Sequence, residues 1–415
     1  MISIPVRPIV SSLVRHKAGV FILACQVALT LAIVANVIFI ITQRVALIVQ
    51  PSGIDEANII IVDNHWVGPL TLEEAHARTD ADLAALRSLP GVVDAYADYT
   101  IPIAGPWANL TALSLAPEQK SPTSRAETYF ADEHALAAYG LLLIKGRNFQ
   151  TNEVVLGSTD ADPKVGSVII TEDLSRSLFP SGDALGKTVF MGDHPSPRTI
   201  VGIIGDVKVP QKGTSNYAYK AVFIPVRIAD VAGDPYIVRT QPGAAESVRR
   251  SLTDILYKTS RLRILDRQEG VQHFSTLRTK TFATDRGLVI LLTAASIVLL
   301  LATAGGIIGI TTLWVDGRRR ALGMRRALGA RRRDILGFIL AENFFIVLLG
   351  ICCGSIIALI ANISLMHYLA LKNLPPMYIT LTSLFILVLG QCAALPPARR
   401  AARVPPAEAM RIVPS

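Results

Sequence analysis

The stretch D-G-R-R-R-A-L-G-M-R-R-A-L-G-A-R-R-R-D-I-L-G-F-I-L-A-E-N, from Asp316 to Asn343, decides the topology of this chain. It carries eight arginines between two apolar runs, and each run is long enough to cross a lipid bilayer. Arginine is costly in hydrocarbon and is concentrated in the cytoplasmic loops of membrane proteins. We therefore predict that this loop is cytoplasmic and that it sets the orientation of the remaining spans.

The composition also indicates a membrane protein. Of the 415 residues, 51% are hydrophobic and 18% are charged, and the mean hydropathy is +0.43. The net charge of +9 is concentrated beside the apolar segments, so it is a topology signal, and no nucleic-acid partner is expected. All four cysteines lie inside apolar segments. The domain between the spans therefore has no disulfide, which is compatible with a bacterial periplasmic domain of this size.

Four apolar segments are each predicted to be a transmembrane helix. They cover residues 18–44, 287–315, 335–371 and 377–396. The predicted fold is an α-helical membrane protein with four transmembrane helices and a large mixed α+β domain inserted between helices 1 and 2. An interfacial amphipathic helix is predicted for residues 1–17 and a basic tail for residues 397–415. Both termini are predicted to be cytoplasmic.

The region between the first two spans has mixed polarity. Residues 45–266 alternate strand and helix patterns, which predicts an α+β domain in two lobes. The sequence T-L-E-E at Thr71 predicts a helix with a capping box. Residues 267–286 are polar and lack proline, so they are predicted to continue into the second span as one helical stalk. Ser181–Thr188 resembles a phosphate-binding loop, but a helix precedes it and a strand follows it, so a turn is predicted.

Residues 316–334 are predicted to contain a short helix at the membrane surface. Leu322, Arg325, Arg326 and Gly329 recur at helical intervals, and Gly329 is a typical helix stop. Most of the arginines are accounted for by topology and by binding to anionic lipid.

Two pairs of glycines in the spans are candidate helix-packing sites. Gly305 with Gly309 and Gly350 with Gly354 each form a G-x-x-x-G pattern, which lets helices approach closely. Glu342 is an acid near the third span, and it is either functional or close enough to the surface to be solvated. No motif for a catalytic nucleophile and no metal-ligand spacing emerges from the sequence.

Several motifs together resemble the MacB/FtsX superfamily of ABC-transporter permeases. Arg318–Ala330 is similar to the family's R-R-R-E-I-G-x-R-R-A-L-G-A, with Ala321 in place of the common Glu. That replacement removes the charge that a Glu would offer to a partner. Pro397–Arg411 is similar to the family's tail, and Leu178–Pro180 and Val201–Val207 are similar to its periplasmic core domain.

The resemblance implies a set of partners. A cytoplasmic ABC ATPase dimer would bind ATP and Mg²⁺, no cofactor is expected in this chain, and a second permease chain would complete the assembly. A periplasmic adaptor and an outer-membrane channel are further candidate partners. The implied ATPase-coupling residues lie in the arginine loop: Leu322, Gly323, Met324, Arg325, Arg326, Ala327, Leu328 and Gly329.

The same resemblance leaves the function open between three possibilities. Export of peptides, antibiotics or similar compounds is favoured, because the domain between the spans is large. A mechanical regulator of cell-wall hydrolases, like the cell-division member of the family, is the first alternative. Lipoprotein release is the second. The expected location is the bacterial inner membrane.

Overall fold

A computed structural model describes residues 17–98, 100–104, 110–157, 165–192, 196–209, 217–266, 269–369 and 373–403. It contains two compact units. The helical unit comprises Met1–Ile48 and Asp285–Ser415, and the inter-span unit comprises Val49–Thr284. The interfacial helix predicted for residues 1–17 lies outside the described residues, except for Lys17, and so does the tail beyond Arg403.

The described residues form ten α-helices and fourteen strands. The helices are α1 (Lys17–Val49), α2 (Leu72–Arg87), α3 (Ala135–Tyr139), α4 (Glu172–Leu178), α5 (Ala245–Thr259), α6 (Phe274–Thr281), α7 (Ala283–Gly317), α8 (Arg319–Ala327), α9 (Arg332–Leu369) and α10 (Pro376–Arg403). The strands are β1 (Ile59–Val62), β2 (His65–Trp66), β3 (Val92–Ala97), β4 (Leu110–Ser114), β5 (Ser124–Ala131), β6 (Leu143–Gly146), β7 (Val155–Gly157), β8 (Ser167–Thr171), β9 (Thr188–Met191), β10 (Ser196–Ile204), β11 (Ala221–Ile228), β12 (Tyr236–Thr240), β13 (Arg263–Ile264) and β14 (Val271–His273).

Four helices, α1, α7, α9 and α10, are long and apolar enough to cross a membrane, as predicted. All four extend beyond their predicted bounds, and the largest extensions are at the C-terminal ends of α1 and α10. Helix α1 continues to Val49, and α10 passes through Pro396 and Pro397 to Arg403. The extension of α10 has a packing reason, because the alanines after the prolines are buried against the start of α9. The residues after 396 are therefore helical as far as Arg403.

Helix α7 packs on α1 through small and polar groups. The hydroxyls of Thr30 and Thr303 lie 2.7 Å apart, and Gln26 Nε2 donates to the carbonyl of Ala302 at 3.0 Å. Gly306 lies directly against the Gln26 side chain. Only 6% of the 18-residue apolar stretch of α7 is buried within the chain, against 50% of the corresponding stretch of α1. Arg44 Nη1 of α1 also lies 3.0 Å from Asp285 Oδ1 near the start of α7. Helix α7 therefore has several polar contacts with α1 and a wide exposed apolar surface.

The continuous stalk predicted for residues 267–286 is wrong. Strand β14 pairs with β1, and the helix that follows is interrupted at Phe282, between α6 and α7. The Phe282 side chain is buried, with the Lys208 ammonium 5.0 Å and the Arg278 guanidinium 5.9 Å from its ring centroid. These cation–π contacts hold the ring against the inter-span unit. The sequence did not predict this interruption, because no proline marks it.

The described part of the inter-span unit has two large sheets with separate cores, which accounts for the two predicted lobes, and a small sheet of β2 and β13. A four-stranded antiparallel sheet has the order β14-β1-β12-β3, and α2 and α5 contribute to its core. The second sheet has eight strands in the order β5-β4-β9-β10-β8-β11-β7, with β6 paired to β10. Strand β11 also pairs with β5, so six of these strands form a closed ring around an apolar core. A turn is found in Ser181–Thr188, as predicted, and β9 begins at its last residue, Thr188.

Candidate coupling site

The arginine helix, α8 (Arg319–Ala327), lies between the spans α7 and α9. Arg318 precedes it, and Gly329 follows it with φ +100°, a conformation that favours glycine. The helix stop predicted at Gly329 is therefore confirmed. The helix occupies only part of the predicted range 316–334, because α9 already begins at Arg332.

One face of the arginine helix is anchored in the chain's own core. Leu322 is 5% exposed and Gly323 is also buried. The apolar cluster around Leu322 comes from α7, α9 and α10, and its buried members are Val315, Ile335, Ile339, Ala398, Ala401 and Ala402. Leu322 and Gly323 were predicted to contact an ATPase. In the structure both residues face inward and support the helix, and their role in coupling to an ATPase remains a prediction.

The opposite face is exposed. Met324 is 57% exposed, Leu328 is 89% exposed, and Ala327 lies between them on the surface. Arg325 is exposed, with its guanidinium 4.8 Å from the centroid of the Phe338 ring. Three of the predicted coupling residues therefore form a small exposed apolar surface, and we call Met324, Ala327 and Leu328 the apolar face of the arginine helix.

The remaining two predicted coupling residues differ in their exposure to solvent. Arg326 is half-buried, and Gly329 is exposed at the turn. The eight predicted residues therefore fall into three groups. Leu322 and Gly323 face inward, the apolar face is exposed, and Arg325, Arg326 and Gly329 flank it.

An ion pair ties the start of the arginine helix to the third span. Arg318 Nη1 lies 2.9 Å from both Oε1 and Oε2 of Glu342. Glu342 is 4% exposed, so its charge is removed from solvent, and Arg318 supplies the compensating charge. The sequence left two alternatives for Glu342, a functional acid or a solvated one. Its burial excludes the solvated alternative.

The glycine pair of α9 lies in close contact with α1. A Cβ atom on Gly350 would come within 2.7 Å of Val27 Cβ, and one on Gly354 within 2.7 Å of the Ala28 carbonyl oxygen. Only glycine leaves room for the two backbones to approach this closely. In α7, a Cβ on Gly305 or on Gly309 would meet nothing within 4 Å among the described residues. That pair lies on the exposed surface of α7.

The burial of the tail alanines is the main feature that the sequence analysis missed. Ala398, Ala401 and Ala402 are at most 5% exposed and pack under Leu322. Their spacing of three and four residues is the signal of a helical apolar stripe. The neighbouring arginines and prolines obscured that stripe. Within the described ranges, no group of His, Cys, Asp and Glu residues is arranged to hold a metal ion.

Comparison with known families identifies both parts of the chain. Residues 18–255 match the family model of the MacB-like periplasmic core domain, and residues 293–406 match the FtsX-like permease C-terminal domain. The first match alone covers more than half of the chain.

Curated relatives agree with this assignment. The chain is 30% identical over 258 residues to a macrolide export ATP-binding/permease protein MacB of Chlorobium luteolum, covering 59% of this chain and 37% of the relative. A MacB protein of Paracoccus denitrificans is 23% identical over 356 residues, covering 84% of this chain and 49% of the relative. The chain thus spans less than half the length of these relatives.

Among solved structures, the periplasmic region of MacB from Actinobacillus actinomycetemcomitans matches with 15% identity and a TM-score of 0.32, covering 56% of this chain and 97% of that one. The two family models jointly cover the inter-span unit as far as residue 255 and most of each of the four apolar helices. This chain is a transmembrane protein that belongs to the MacB/FtsX superfamily of ABC-transporter permeases.

Proposed function

We propose that this chain is the permease component of an ATP-driven MacB-like transporter, and that the apolar face of the arginine helix docks an ATPase. The supporting observation is Leu328, which is 89% exposed in a loop otherwise dominated by arginine. Exposed apolar side chains on a rigid element are typical of protein contacts. Met324 and Ala327 extend the surface along the same helix.

The anchoring of the arginine helix supports a mechanical role. Leu322 packs against residues of α7, α9 and α10, and Arg318 binds Glu342 on α9. A displacement of the apolar face would therefore move three helices together rather than bend a loop. Packed cores transmit such displacements because they deform little.

The remaining parts of the proposal follow from family membership. ATP and Mg²⁺ would be bound by a pair of ATPase domains outside the sequence described, on the cytoplasmic side of the inner membrane. Both termini of this chain would lie on that side, and the inter-span unit would be periplasmic. A second permease chain would pack on the exposed surface of α7 around Gly305 and Gly309, where a Cβ meets nothing within 4 Å.

The proposed cargo is a peptide, an antibiotic or a similar compound, handled at the periplasmic unit together with an adaptor and an outer-membrane channel. Helix α8 would deliver ATP-driven movement to that unit through the spans. Cargo identity is open to direct test by comparing export in cells with and without the chain.

The decisive experiment is co-purification from native membranes. Leu328→Asp places a charge on the apolar face without touching the core, so the permease should remain folded while the recovered ATPase falls at least tenfold. The matched control is Leu142→Asp, because Leu142 is 72% exposed but lies in the inter-span unit. Equal recovery of ATPase with wild type and Leu328→Asp would reject the docking surface.

A further inference from the structure

A long apolar groove runs along the surface of the helical unit between α1 and α9. Its volume is about 1340 Å³ including its open side, and it is separate from the arginine helix. The residues that line it are Lys17, Val20, Phe21, Ala24, Cys25, Ala28, Leu29, Leu349, Cys353 and Ile357. Lys17 is the sole charged residue of this lining.

The groove exists because the seam between the two helices is built from the smallest residues. Ala24 and Ala28 contact Gly350 and Gly354, so the helices approach closely there. Larger side chains stand on both sides of that seam, one turn apart on each helix. They are Phe21, Cys25 and Leu29 on α1, and Leu349, Cys353 and Ile357 on α9.

The length of the groove matches one leaflet of a bilayer. From Lys17 to Leu29 the helix rises about 18 Å, at about 1.5 Å per residue. The hydrocarbon core of a bilayer is about 30 Å thick, so each leaflet contributes about 15 Å. Beyond the groove, α1 and α9 are connected by a hydrogen bond, which Asn36 Nδ2 donates to the carbonyl of Ala358 at 3.1 Å. The groove therefore ends near mid-membrane.

We propose that this groove binds an acyl chain of an anionic phospholipid whose phosphate contacts Lys17. A transmembrane helix of a second copy would need an apolar surface about 30 Å long, whereas the groove is only about 18 Å long. A lipid in one leaflet has its charged group at the membrane surface and its chain directed inward, and the groove has this same arrangement of charge and apolar surface. Phosphate and ammonium groups are complementary.

The groove should also be selective among phospholipids. The surrounding bilayer solvates an acyl chain as well as most apolar protein surfaces do, so apolar burial alone gives little preference. Preference for a resident lipid must come from the Lys17 contact and from the fit of the chain. The groove should therefore distinguish anionic phosphatidylglycerol from zwitterionic phosphatidylethanolamine with the same acyl chains. This inference does not depend on ATPase docking.

Two neighbouring cysteines provide a matched pair for the test. Cys352 and Cys353 are both exposed on α9, but only Cys353 lines the groove. Cys353→Trp should fill the groove, whereas Cys352→Trp should place the same ring outside it. Lys17→Gln should leave the apolar surface intact and remove the charge.

The measurement is native mass spectrometry of the full chain extracted from nanodiscs of equimolar phosphatidylglycerol and phosphatidylethanolamine. Wild type and Cys352→Trp should retain one phosphatidylglycerol. Cys353→Trp should lose it at least tenfold with unchanged melting temperature, and Lys17→Gln should abolish the preference between the two lipids. Equal lipid retention by Cys353→Trp and Cys352→Trp would overturn the proposal.

Two further outcomes would also count against a lipid. The first is an unchanged preference for phosphatidylglycerol in Lys17→Gln. The second is a disulfide between Cys25 residues of two chains under oxidation, because it would place a second copy at the groove. Slower maleimide labelling of Cys353 than of Cys352 in phosphatidylglycerol, but not in phosphatidylethanolamine, would support the lipid.

Discussion

Arg318 binds Glu342 with one guanidinium nitrogen placed 2.9 Å from both carboxylate oxygens. Arg318 immediately precedes the arginine helix, and Glu342 lies ten residues into α9. This pair is a charged link between the proposed ATPase contact and a span. Leu322 provides an apolar link beside it.

Removing one partner of this pair should be costly. In Glu342→Ala the Arg318 charge loses its compensating carboxylate, and we expect a loss on the order of 3 kcal/mol in unfolding free energy. The measurement is reversible denaturation of the detergent-solubilised chain. The charge exchange Arg318→Glu with Glu342→Arg should recover part of the loss. If the exchange is no more stable than either single variant, the pair does not act as a unit.

Leu322 and Met324 should respond differently to the same truncation. Leu322→Ala leaves a void between α7, α9 and α10, and such changes cost about 2–5 kcal/mol. Met324 is 57% exposed, so Met324→Ala should change the stability by less than about 0.5 kcal/mol. The same denaturation assay compares them. Equal losses would show that Leu322 is not an internal anchor.

The two glycine pairs should separate packing within the chain from packing between chains. Gly354→Leu forces a side chain against the Ala28 carbonyl, so we expect a loss of about 1–3 kcal/mol in unfolding free energy. Gly305→Leu meets open space and should leave this value unchanged while weakening the association of two permease chains. Thermal denaturation and size-exclusion chromatography of both variants provide the readouts. A destabilised Gly305→Leu monomer would contradict this assignment.

Gly53 and Gly243 form a second matched pair, in the inter-span unit. Both have φ +82°, but a Cβ on Gly53 would collide with the Asp206 carbonyl oxygen, whereas one on Gly243 would meet nothing within 4 Å. Gly243→Ala should cost about 1 kcal/mol for its backbone conformation alone. Gly53→Ala should cost several times more, measured as the melting temperature of the full chain. Similar shifts for both would show that the backbone near Asp206 relaxes freely.

Asp234 should make the inter-span unit sensitive to pH. Burial raises the pKa of this carboxyl to about 7, against a partly opposing hydrogen bond from the Asp230 N–H. The folded chain then holds a proton that the unfolded chain releases near pH 4, so stability falls as pH rises from about 4 to about 7. Asp234→Asn should keep the hydrogen bond from the Asp230 N–H and remove the loss of stability at high pH. The variant should therefore be more stable than the wild type by a few kcal/mol at pH 8. Melting curves between pH 4 and pH 8 test this, with exposed Asp183→Asn as the control, and a constant difference across that range would refute it.

The spans and several local signals could be predicted because they depend on nearby residues. Apolar length alone indicated four helices. Thr71 and Glu74 form the capping box, with both reciprocal hydrogen bonds present. Gly329 ends the arginine helix for a local steric reason.

Other elements depend on distant contacts and were missed. Strand β5 contains Arg125 and Glu127, so its pattern does not look buried. Yet Glu127 is 0% exposed, because β5 is paired with β4 on one side and with β11 on the other. Strand β3 ends at Ala97, and the next residue, Asp98, is buried and accepts a hydrogen bond from the Thr100 N–H. No periodicity within the strand reveals where it ends.

The sequence did not distinguish the inward side of the arginine helix from its exposed side. Leu322 and Leu328 are both apolar, and the sequence gives no reason to bury one rather than the other. The choice is made by Ala398, Ala401 and Ala402, which follow more than 70 residues later and form the surface that Leu322 contacts. Only the tertiary structure brings these residues together.

The threonine pair between α1 and α7 has a consequence for how easily these helices can part. Thr30 Oγ1 lies 2.8 Å from the Gln26 carbonyl of its own helix, and Thr303 Oγ1 lies 2.9 Å from the Leu299 carbonyl. If the two hydroxyls separate, each still has an acceptor on its own backbone, so neither is left unsatisfied in hydrocarbon. This hydrogen bond can therefore break and re-form inside the membrane at a low energetic cost, whereas the Gln26 contact with Ala302 and the packing of Ile307 still hold α7 on α1.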